Sequence, residues 1–285
     1  MREVMKIINT PEEMQRQALE WRKSGKKIGL VPTMGFLHDG HMSLIDRARP
    51  ECDILIVSIF VNPTQFGPNE DLDKYPRDFK RDCEQCEAHK VDCIFAPAPE
   101  VMYAPDHSTW VVEEKLSRPL CGKSRPIHFR GVATVVTKLF NLTQAEVAVF
   151  GRKDAQQALI IKRMVRDLNM PIEIIVAPLV RDTDLVAMSS RNRYLSESER
   201  KSAQVISRSL LSAEDELRRN GIKDIEELIL KIKTAITSAG GRIDYVEALD
   251  GYNLEPLTGK SSSVLLAVAA YFGTTRLIDN VLVDF

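Results

Sequence analysis

The fold of this chain is predicted most directly by one stretch of sequence, Val31-Pro32-Thr33-Met34-Gly35-Phe36-Leu37-His38-Asp39-Gly40-His41. The apolar run 28–31 that leads into it predicts a short buried strand, and the apolar spacing within 42–48 predicts a helix after it. A strand that ends in a glycine-containing turn and opens a helix is where α/β folds bind ligands. The free N–H groups at the start of that helix carry partial positive charge, so the turn suits a phosphate.

His38 and His41 stand on or just before the first helical turn, where both can face one side and donate hydrogen bonds to phosphate oxygens. Gly35 and Gly40 would let the backbone turn tightly and approach a ligand. Two alternatives stay open for the histidines. A histidine pair in a loop is often only solvated, and His-x-x-His is also a fragment of a metal site. It lacks a third ligand and the helical spacing of zinc proteases, so the local context favours phosphate.

The composition and charge of the chain, and the length of its apolar runs, exclude several classes of protein. The chain has 285 residues, 44% of them apolar and 28% charged, as in a globular protein of one large or two ordinary domains. A net charge of −1 provides no basic surface for nucleic acid. The longest apolar runs, 54–61 and 264–272, are too short to span a membrane. The first six residues lack the apolar core of a secretion signal, so we expect a cytoplasmic protein.

The five cysteines are an odd number, which indicates reduced thiols. Cys83, Cys86, His89 and Cys93 have the spacing of a zinc set. The first two also follow a helical stripe, and Cys93 lies in an apolar run, where free cysteine is commonly a small core residue. We favour core packing, because a structural zinc site needs four ligands that converge in space.

The run 53–61 is almost continuously apolar and predicts a central parallel strand that is covered on both faces. The polar loop 62–67 follows it and would lie on the ligand edge of the sheet. Asn62 and Gln65 in this loop carry amides that suit a polar substrate, although ordinary turn chemistry at Asn-Pro explains them equally well. The cations of 118–131 predict a surface loop near an anionic ligand. The other predicted elements of this half are helices 77–90 and 132–142, strands 91–96, 146–150 and 173–177, and a short edge strand 110–112.

Gly151-Arg152-Lys153-Asp154 repeats the design of the first turn: a strand end, a glycine and then a helix, 154–168. Lys153 can neutralise phosphate charge, Asp154 is a good N-cap, and Gln157 can face the same side. An ordinary capped helix with surface charges would have the same residues. Gly-x-Gly-x-x-Gly is absent, so the chain lacks a dinucleotide fingerprint.

Beyond Pro178 the character of the sequence changes. Two hydroxyls and two arginines within 189–193 suit a polyphosphate, or form a polar linker. Helices 200–219 and 224–239, followed by strands 244–249, 263–272 and 275–281, predict a small α+β domain. We therefore expect a Rossmann-like parallel-sheet α/β domain over residues 1–178 and a smaller α+β C-terminal domain over residues 179–285.

His38-Asp39-Gly40-His41 resembles the HIGH signature of the nucleotidyltransferase superfamily that includes class I aminoacyl-tRNA synthetases. Met188-Ser189-Ser190-Arg191 resembles a degenerate KMSKS loop without its lysines. Nearly end to end, the chain resembles the pantothenate synthetase (pantoate–β-alanine ligase) family. The motifs that complete this resemblance are 32–35, 60–66, 128–131, 150–154 and 188–194.

The resemblance implies a reaction in which the carboxylate of pantoate attacks the α-phosphorus of ATP, and the amine of β-alanine then displaces AMP from pantoyl adenylate. It implies His41, His38 and Lys153 as catalytic residues. The implied ATP site comprises Met34, Gly35, His38, His41, Gly151, Arg152, Lys153, Asp154, Val180, Met188, Ser189, Ser190 and Arg191. The implied pantoate and β-alanine ligands are Gln65, Gln157, Asn62 and Arg130.

Three further expectations come from the resemblance. Mg²⁺ would be bound mainly through the phosphates of ATP, with Asp82 as an assisting ligand. The second domain would act as a lid over the nucleotide. The protein would be a homodimer, with small-molecule substrates and neither a nucleic-acid nor a membrane partner.

Two rival functions stay open at this point. One is an adenylyltransferase that acts on a phosphorylated cofactor precursor through the same histidine turn, and it would need a second phosphate site. The other is a nucleotide-sensing protein that binds ATP without turnover. Release of pyrophosphate that depends on pantoate would discriminate against both.

Overall fold

The computed structural model describes residues 4–68 and 70–285. Residues 1–3, the first three of the six considered for a secretion signal, lie outside the described residues. Within the described ranges, none of the helices has the length and apolar character needed to cross a membrane. The chain forms two compact units. The first contains the described residues up to Glu114 together with 125–152 and 160–178, and the second contains 115–124, 153–159 and 179–285.

The first unit is built on a parallel sheet of six strands in the order β1-β4-β3-β2-β5-β6. This confirms the Rossmann-like fold. The elements between the start of the described chain and Ala177, of which α5 and residues 155–159 of α7 belong to the second unit, are β1 (Lys6–Ile8), α1 (Pro11–Lys23), β2 (Ile28–Thr33), α2 (Asp39–Ala48), β3 (Ile54–Ile59), α3 (Phe79–Ala88), β4 (Cys93–Phe95), α4 (Pro99–Met102), α5 (Cys121–Ser124), α6 (His128–Thr143), β5 (Val147–Gly151), α7 (Ala155–Asp167) and β6 (Glu173–Ala177).

Apolar side chains cover both faces of this sheet, as the continuous apolar runs predict for central parallel strands. On one face, α1 and α6 pack against Leu30 and Ile56 of β2 and β3. On the other face, α2 and α3 pack against Val31 and Val57 of the same strands. Successive side chains of a strand point to opposite faces of the sheet. Each continuous apolar strand therefore contributes side chains to the apolar core on both faces.

The direction of strand order reverses between β2 and β5. These strands pair only at Gly29 with Val147 and at Leu30 with Ala148, although β2 continues to Thr33 and β5 to Gly151. Their carboxyl ends are thus neighbours that are not bonded to each other. This is the topological switch point at which open α/β sheets bind ligands.

The second unit contains a three-stranded antiparallel sheet in the order β7-β8-β9, with two long helices packed on it. Its elements are α8 (Glu197–Asn220), α9 (Ile225–Ser238), β7 (Arg242–Asp250), β8 (Ser263–Phe272) and β9 (Thr275–Asp284). Ser196 and Glu199 form the reciprocal capping box that starts α8. The expectation of a small α+β domain is confirmed.

Some local predictions were wrong. The edge strand at 110–112 does not form, because the Val111 N–H donates to the Thr134 hydroxyl (3.0 Å) instead of to a neighbouring strand. The 118–131 stretch is not a surface loop, since it contains α5 and the start of α6, and Cys121, His128 and Phe129 are buried. Strand β1, which pairs with β4, had no sequence signal strong enough to predict it.

Candidate active site

The histidine turn begins where β2 ends, and two successive residues in it adopt left-handed backbone conformations. Gly35 has φ of 80° and Phe36 has φ of 51°. A Cβ atom on Gly35 would lie 2.9 Å from Ile59 Cγ2, so glycine is required for space as well as for conformation. The Thr33 hydroxyl accepts from the Gly35 N–H (3.1 Å) and donates to the Ser58 carbonyl (2.7 Å), which joins the turn to β3.

Asp82 holds the same turn from α3. Its carboxylate accepts the Phe36 N–H at 2.9 Å and the Leu37 N–H at 2.7 Å, and the residue is only 1% exposed. Burial raises the pKa of Asp82, and the two backbone donors act in the opposite direction. Both carboxylate oxygens accept backbone amides, which gives Asp82 a structural role in holding this turn.

His38 is the N-cap residue of α2, and His41 lies in its first turn, with the two ring centroids 4.0 Å apart. The His38 N–H donates to Nδ1 of His41 (3.3 Å). A backbone N–H can only donate, so Nδ1 of His41 is an acceptor and carries no proton in this arrangement. The neutral ring then has its proton on Nε2. The structure thus provides an imidazole donor at the positive end of a ten-residue helix.

A cavity of about 250 Å³ opens at the carboxyl ends of β2, β3 and β4. Met34 and Gly35, two of the residues expected at the ATP site, line it together with Phe36. The full lining is Met34, Gly35, Phe36, Ile59, Phe60, Val61, Arg77, Asp78, Phe79, Asp82, Ala96, Pro97 and Pro99.

The loop after β3 is a 3-10 turn, Pro63–Gln65, and Asn62 is its N-cap residue, whose side chain accepts from the Thr64 N–H. Asn62 is 1% exposed and its amide nitrogen donates to Gln65 Oε1 (3.0 Å) and to the Gly131 carbonyl (3.2 Å). Its amide oxygen accepts from the Tyr103 hydroxyl (2.8 Å). The amide nitrogen and oxygen of Asn62 are therefore both hydrogen-bonded within the protein, and Asn62 positions Gln65. The Gln65 amide nitrogen has only the Met34 sulfur as a partner (3.2 Å) among the described residues.

Helix α6 contacts this turn through Gly131. A Cβ atom there would lie 2.4 Å from the Thr64 carbonyl oxygen and 2.7 Å from the Gln65 nitrogen. Sequence reasoning missed Gly131 as a functional position, although a glycine inside a helical pattern is a signal of close backbone approach.

The cations of 118–131 are mostly bound to protein groups. Arg125 donates to both carboxylate oxygens of Glu70 (2.6 and 2.5 Å) and to the Gln65 carbonyl (3.2 Å), which His128 Nδ1 also contacts at 3.0 Å. Burial acts to raise the pKa of Glu70, but the Arg125 guanidinium outweighs it and holds that pKa below its usual range. Arg130 is exposed, and its guanidinium carbon lies 4.5 Å from the centre of the Trp110 ring. The expectation that these cations face an anionic ligand is therefore not supported for Arg125 and His128.

The second predicted turn follows β5. Gly151 ends that strand, beside the end of β2, and Arg152–Asp154 form a 3-10 turn before α7. The Lys153 ammonium group lies 3.5 Å from the Asp154 carboxylate and is partly exposed. Two glutamines follow it with different roles. Gln156 is buried and bonds the Leu116 and Pro119 carbonyls (2.8 and 2.7 Å) and the Cys121 N–H (3.0 Å).

Gln157 is half-buried, and its amide makes no hydrogen bond within the described ranges. It is therefore the glutamine that can receive a ligand. Sequence spacing alone had singled out Gln157 and did not identify Gln156 as the support for residues 116–121.

The serine and arginine loop lies in the second unit. Ser189 caps the 3-10 turn Ser190–Tyr194, and its hydroxyl accepts from the Arg191 N–H (3.2 Å). Before the turn, the Met188 N–H donates to the Val180 carbonyl (3.1 Å). Ser190 is 7% exposed. Val180 and Met188 are thus neighbours in the loop.

No group of three or more His, Cys, Asp or Glu residues that could hold a metal occurs in residues 4–68 and 70–285. Cys86 and Cys93 are buried in apolar surroundings, where burial raises the pKa of each thiol to about 12. His89 instead contacts the Asp46 carboxylate (2.7 Å). These contacts agree with core packing of the cysteines.

Comparison with known proteins gives consistent matches over nearly the whole chain. A family model described as pantoate-beta-alanine ligase matches residues 6–282. The pantothenate synthetase of Thermotoga neapolitana is 55% identical over 281 residues, which cover 97% of this chain and 99% of that protein. The pantothenate synthetase of Enterococcus faecalis is 51% identical over 277 residues, or 97% and 98% of the two chains.

Solved structures agree with these matches. The pantothenate synthetase from Thermus thermophilus is similar with a TM-score of 0.90 and 41% identity, over 97% of this chain and 99% of that one. The pantoate-beta-alanine ligase from Francisella tularensis, complexed with beta-gamma ATP and beta-alanine, is similar with a TM-score of 0.80 and 35% identity, over 98% of each chain.

Proposed function

The chain belongs to the pantoate–β-alanine ligase family, and from this premise we propose which residues carry out its ATP-dependent condensation of pantoate with β-alanine. The reaction releases AMP and pyrophosphate and proceeds through pantoyl adenylate. In the first step a carboxylate oxygen of pantoate bonds to the α-phosphorus and pyrophosphate leaves. In the second, the β-alanine nitrogen bonds to the acyl carbon, loses a proton, and AMP leaves with the bridging oxygen.

We propose that His41 donates a hydrogen bond from Nε2 to the phosphate oxygens that gain charge during adenylation. The observation that carries this proposal is the bond from the His38 N–H to His41 Nδ1, which leaves Nε2 as the donor. A donor that is already oriented stabilises developing charge without reorganisation at the moment of reaction. His38, on the same helix start, binds the phosphates beside it.

Gln65 and Gln157 bind pantoate through their amides, and Asn62 holds Gln65 in place. This assignment is supported by the Gln65 amide nitrogen, whose only partner among the described residues is a weak sulfur acceptor, and by the absence of any bond to the Gln157 amide in the same ranges. Arg130 has a more peripheral role near the substrate, because its guanidinium group is stacked on Trp110.

Lys153, at the start of the second turn, neutralises the β- and γ-phosphates and the departing pyrophosphate. The loop residues Ser189, Ser190 and Arg191 bind the same phosphates, and Lys153 supplies the positive charge that this lysine-free loop lacks. The remaining residues of the proposed adenosine site are Met34, Gly35, Gly151, Arg152, Asp154, Val180 and Met188. Residues 1–178 would act as the nucleotide- and pantoate-binding domain and residues 179–285 as the lid.

Mg²⁺ enters this proposal as part of the ATP substrate. No group of three or more His, Cys, Asp and Glu side chains among the described residues could hold a metal, and Asp82, the assisting ligand that the resemblance implies, accepts two backbone amides. A magnesium ion that keeps several waters and binds phosphate oxygens needs few protein ligands. We further propose a cytoplasmic homodimer, and light scattering of the purified protein would test the dimeric state.

The experiment that tests the proposal is the release of pyrophosphate from ATP and Mg²⁺, with and without pantoate, before β-alanine is added. We expect a burst of about one equivalent per site that requires pantoate, as for a single adenylation event. ATP binding without release would point to a nucleotide sensor. Release that depends on a phosphorylated acceptor and not on pantoate would point to an adenylyltransferase.

A further inference from the structure

The hydrogen bonds around Asn62 fix which way its amide points. The Gly131 carbonyl can only accept, so the atom of Asn62 that faces it is the amide nitrogen (3.2 Å). The Thr64 N–H can only donate, so the atom that faces it is the amide oxygen (3.4 Å). A backbone acceptor and a backbone donor therefore assign the nitrogen and the oxygen of this buried side chain without ambiguity.

The orientation of Asn62 then determines that of Gln65. Because Asn62 presents its nitrogen, the Gln65 atom 3.0 Å away must be the acceptor, Oε1. The Gln65 NH₂ group consequently faces away from Asn62, toward the Met34 sulfur. Gln65 thus presents its N–H donors, one of them in contact with the Met34 sulfur, while its oxygen is held by Asn62. Such a group recognises an oxygen acceptor, as in the carboxylate of a hydroxy acid.

Tyr103 anchors this arrangement from outside the turn. Its hydroxyl donates to Asn62 Oδ1 at 2.8 Å and lies 3.2 Å from the Thr64 hydroxyl. Thr64 belongs to the same 3-10 turn as Gln65 and moves with it, whereas Tyr103 directly follows α4. Burial raises the pKa of Tyr103, so the hydroxyl keeps its proton near neutral pH. The ring is held by His107 in an edge-on contact at 5.0 Å and by the Lys138 ammonium group at 5.6 Å.

We propose that Tyr103 is a positioning residue for pantoate, which acts through Asn62 to hold the Gln65 NH₂ group in place for the substrate. The inference rests on the proposed role of Gln65 in binding pantoate. It goes beyond that role because it names a residue that holds Asn62, and through it Gln65, in the orientation that the Gly131 carbonyl and the Thr64 N–H assign. Tyr103 itself does not touch the reacting atoms in this account.

The test uses Tyr103→Phe, which removes the hydroxyl and keeps the ring. We expect the KM for pantoate to rise by about 3- to 10-fold, as for the loss of one buried neutral hydrogen bond. The KM values for ATP and β-alanine should stay within about twofold. The matched control is Tyr271→Phe on β8, whose hydroxyl makes no hydrogen bond in the described ranges. This control should leave all three KM values unchanged.

A double-mutant cycle tests the role of Tyr103 separately from the proposed role of Gln65 in binding pantoate. In a Gln65→Ala background, Tyr103→Phe should have no further effect, because its effect passes through Gln65. Additive effects, or a fall in kcat with all KM values unchanged, would overturn the positioning role of Tyr103 and would leave the proposed role of Gln65 standing. An unchanged KM for pantoate in Gln65→Ala itself would instead remove Gln65 from the pantoate site.

A second variant keeps the inference testable if Tyr103→Phe does not fold. Asn62→Asp replaces the donor nitrogen by an oxygen, so Gln65 must turn its NH₂ inward and present Oε1 to the ligand. We expect the affinity for pantoate to fall by more than about 10-fold relative to the unsubstituted protein, measured by calorimetric titration with pantoate. Unchanged affinity in a folded Asn62→Asp protein would contradict the inference.

Discussion

Replacement of Gly131 by alanine tests the contact between α6 and the pantoate loop. The added Cβ would lie 2.4 Å from the Thr64 carbonyl oxygen, 2.6 Å from the Thr64 carbonyl carbon and 2.7 Å from the Gln65 nitrogen. All three are backbone atoms, so no side-chain rotation relieves the overlap. The turn must move away from α6 by about 1 Å to restore an ordinary van der Waals separation.

Two effects on stability oppose each other in this variant. Alanine is better than glycine inside a helix by about 1 kcal/mol. Overpacking costs about 1–3 kcal/mol. Helix α6 is held in the core by Val132, Val136 and Leu139, so the 3-10 turn will move and not the helix. We expect a net decrease of about 1 kcal/mol in the free energy of unfolding, with the fold retained.

The functional loss should exceed the loss of stability. A shift of about 1 Å breaks the bond from Asn62 to the Gly131 carbonyl and misplaces Gln65, and misplacement of this size can cost about 100-fold in rate. We expect kcat/KM for pantoate to fall by about 10- to 100-fold, while the KM for ATP changes little. The assay is steady-state kinetics with pantoate varied at saturating ATP and β-alanine, together with thermal unfolding.

The control for this prediction is Gly259→Ala. No heavy atom lies within 4 Å of a Cβ atom built at Gly259. That variant should match the unsubstituted protein in all kinetic constants. An unchanged kcat/KM for pantoate in Gly131→Ala would refute the argument that this close approach places Gln65.

Three further predictions concern the histidine turn and the metal. His41→Ala should slow the pyrophosphate burst by about 100- to 1000-fold and leave the thermal midpoint nearly unchanged, and a burst at the normal rate would exclude His41 from the chemistry. Asp82→Ala should lower the free energy of unfolding by about 2 kcal/mol, because the Phe36 and Leu37 amides lose their acceptor. Burial raises the pKa of Asp82, so the folded state binds the proton of this carboxyl group more tightly than the unfolded state does. The contribution of Asp82 to stability therefore falls as the pH rises from the ordinary pKa of an aspartate through the raised pKa of the folded state. Urea unfolding of both proteins across that range should show this slope only with Asp82 present, and equal slopes would contradict its assignment. Chelation of divalent ions should stop turnover without a change in thermal midpoint, whereas metal analysis that finds one zinc per chain would revive a cysteine site.

The parallel-sheet fold could be predicted because its signals are local. The apolar runs before Met34 and Asn62 are long enough for buried strands, and a glycine stands just after the end of β2 and at the end of β5, where the chain must turn. These features place the histidine turn and the Lys153 turn after neighbouring strands β2 and β5. Their residue types then predict a phosphate site.

The residues that hold the candidate site residues in place could not be predicted, because their role depends on contacts between residues far apart in sequence. Asp82 is 46 positions from Phe36, and its carboxylate has the same sequence signal as any helical aspartate. Tyr103 is 41 positions from Asn62. Arg125 looked like a ligand cation because the sequence does not reveal Glu70 as its partner. Sequence patterns therefore identify groups that can meet a substrate more readily than groups that hold them.

Transfer of oxygen from pantoate to AMP shows whether pantoate is activated as an acyl adenylate. Pantoate labelled with ¹⁸O in its carboxylate is converted to pantothenate with ATP, Mg²⁺ and β-alanine, and the nucleotide product is analysed by mass spectrometry. If the carboxylate attacks the α-phosphorus, AMP carries one labelled oxygen and pyrophosphate carries none. Unlabelled AMP, or label in inorganic phosphate with ADP as the nucleotide product, would contradict the account.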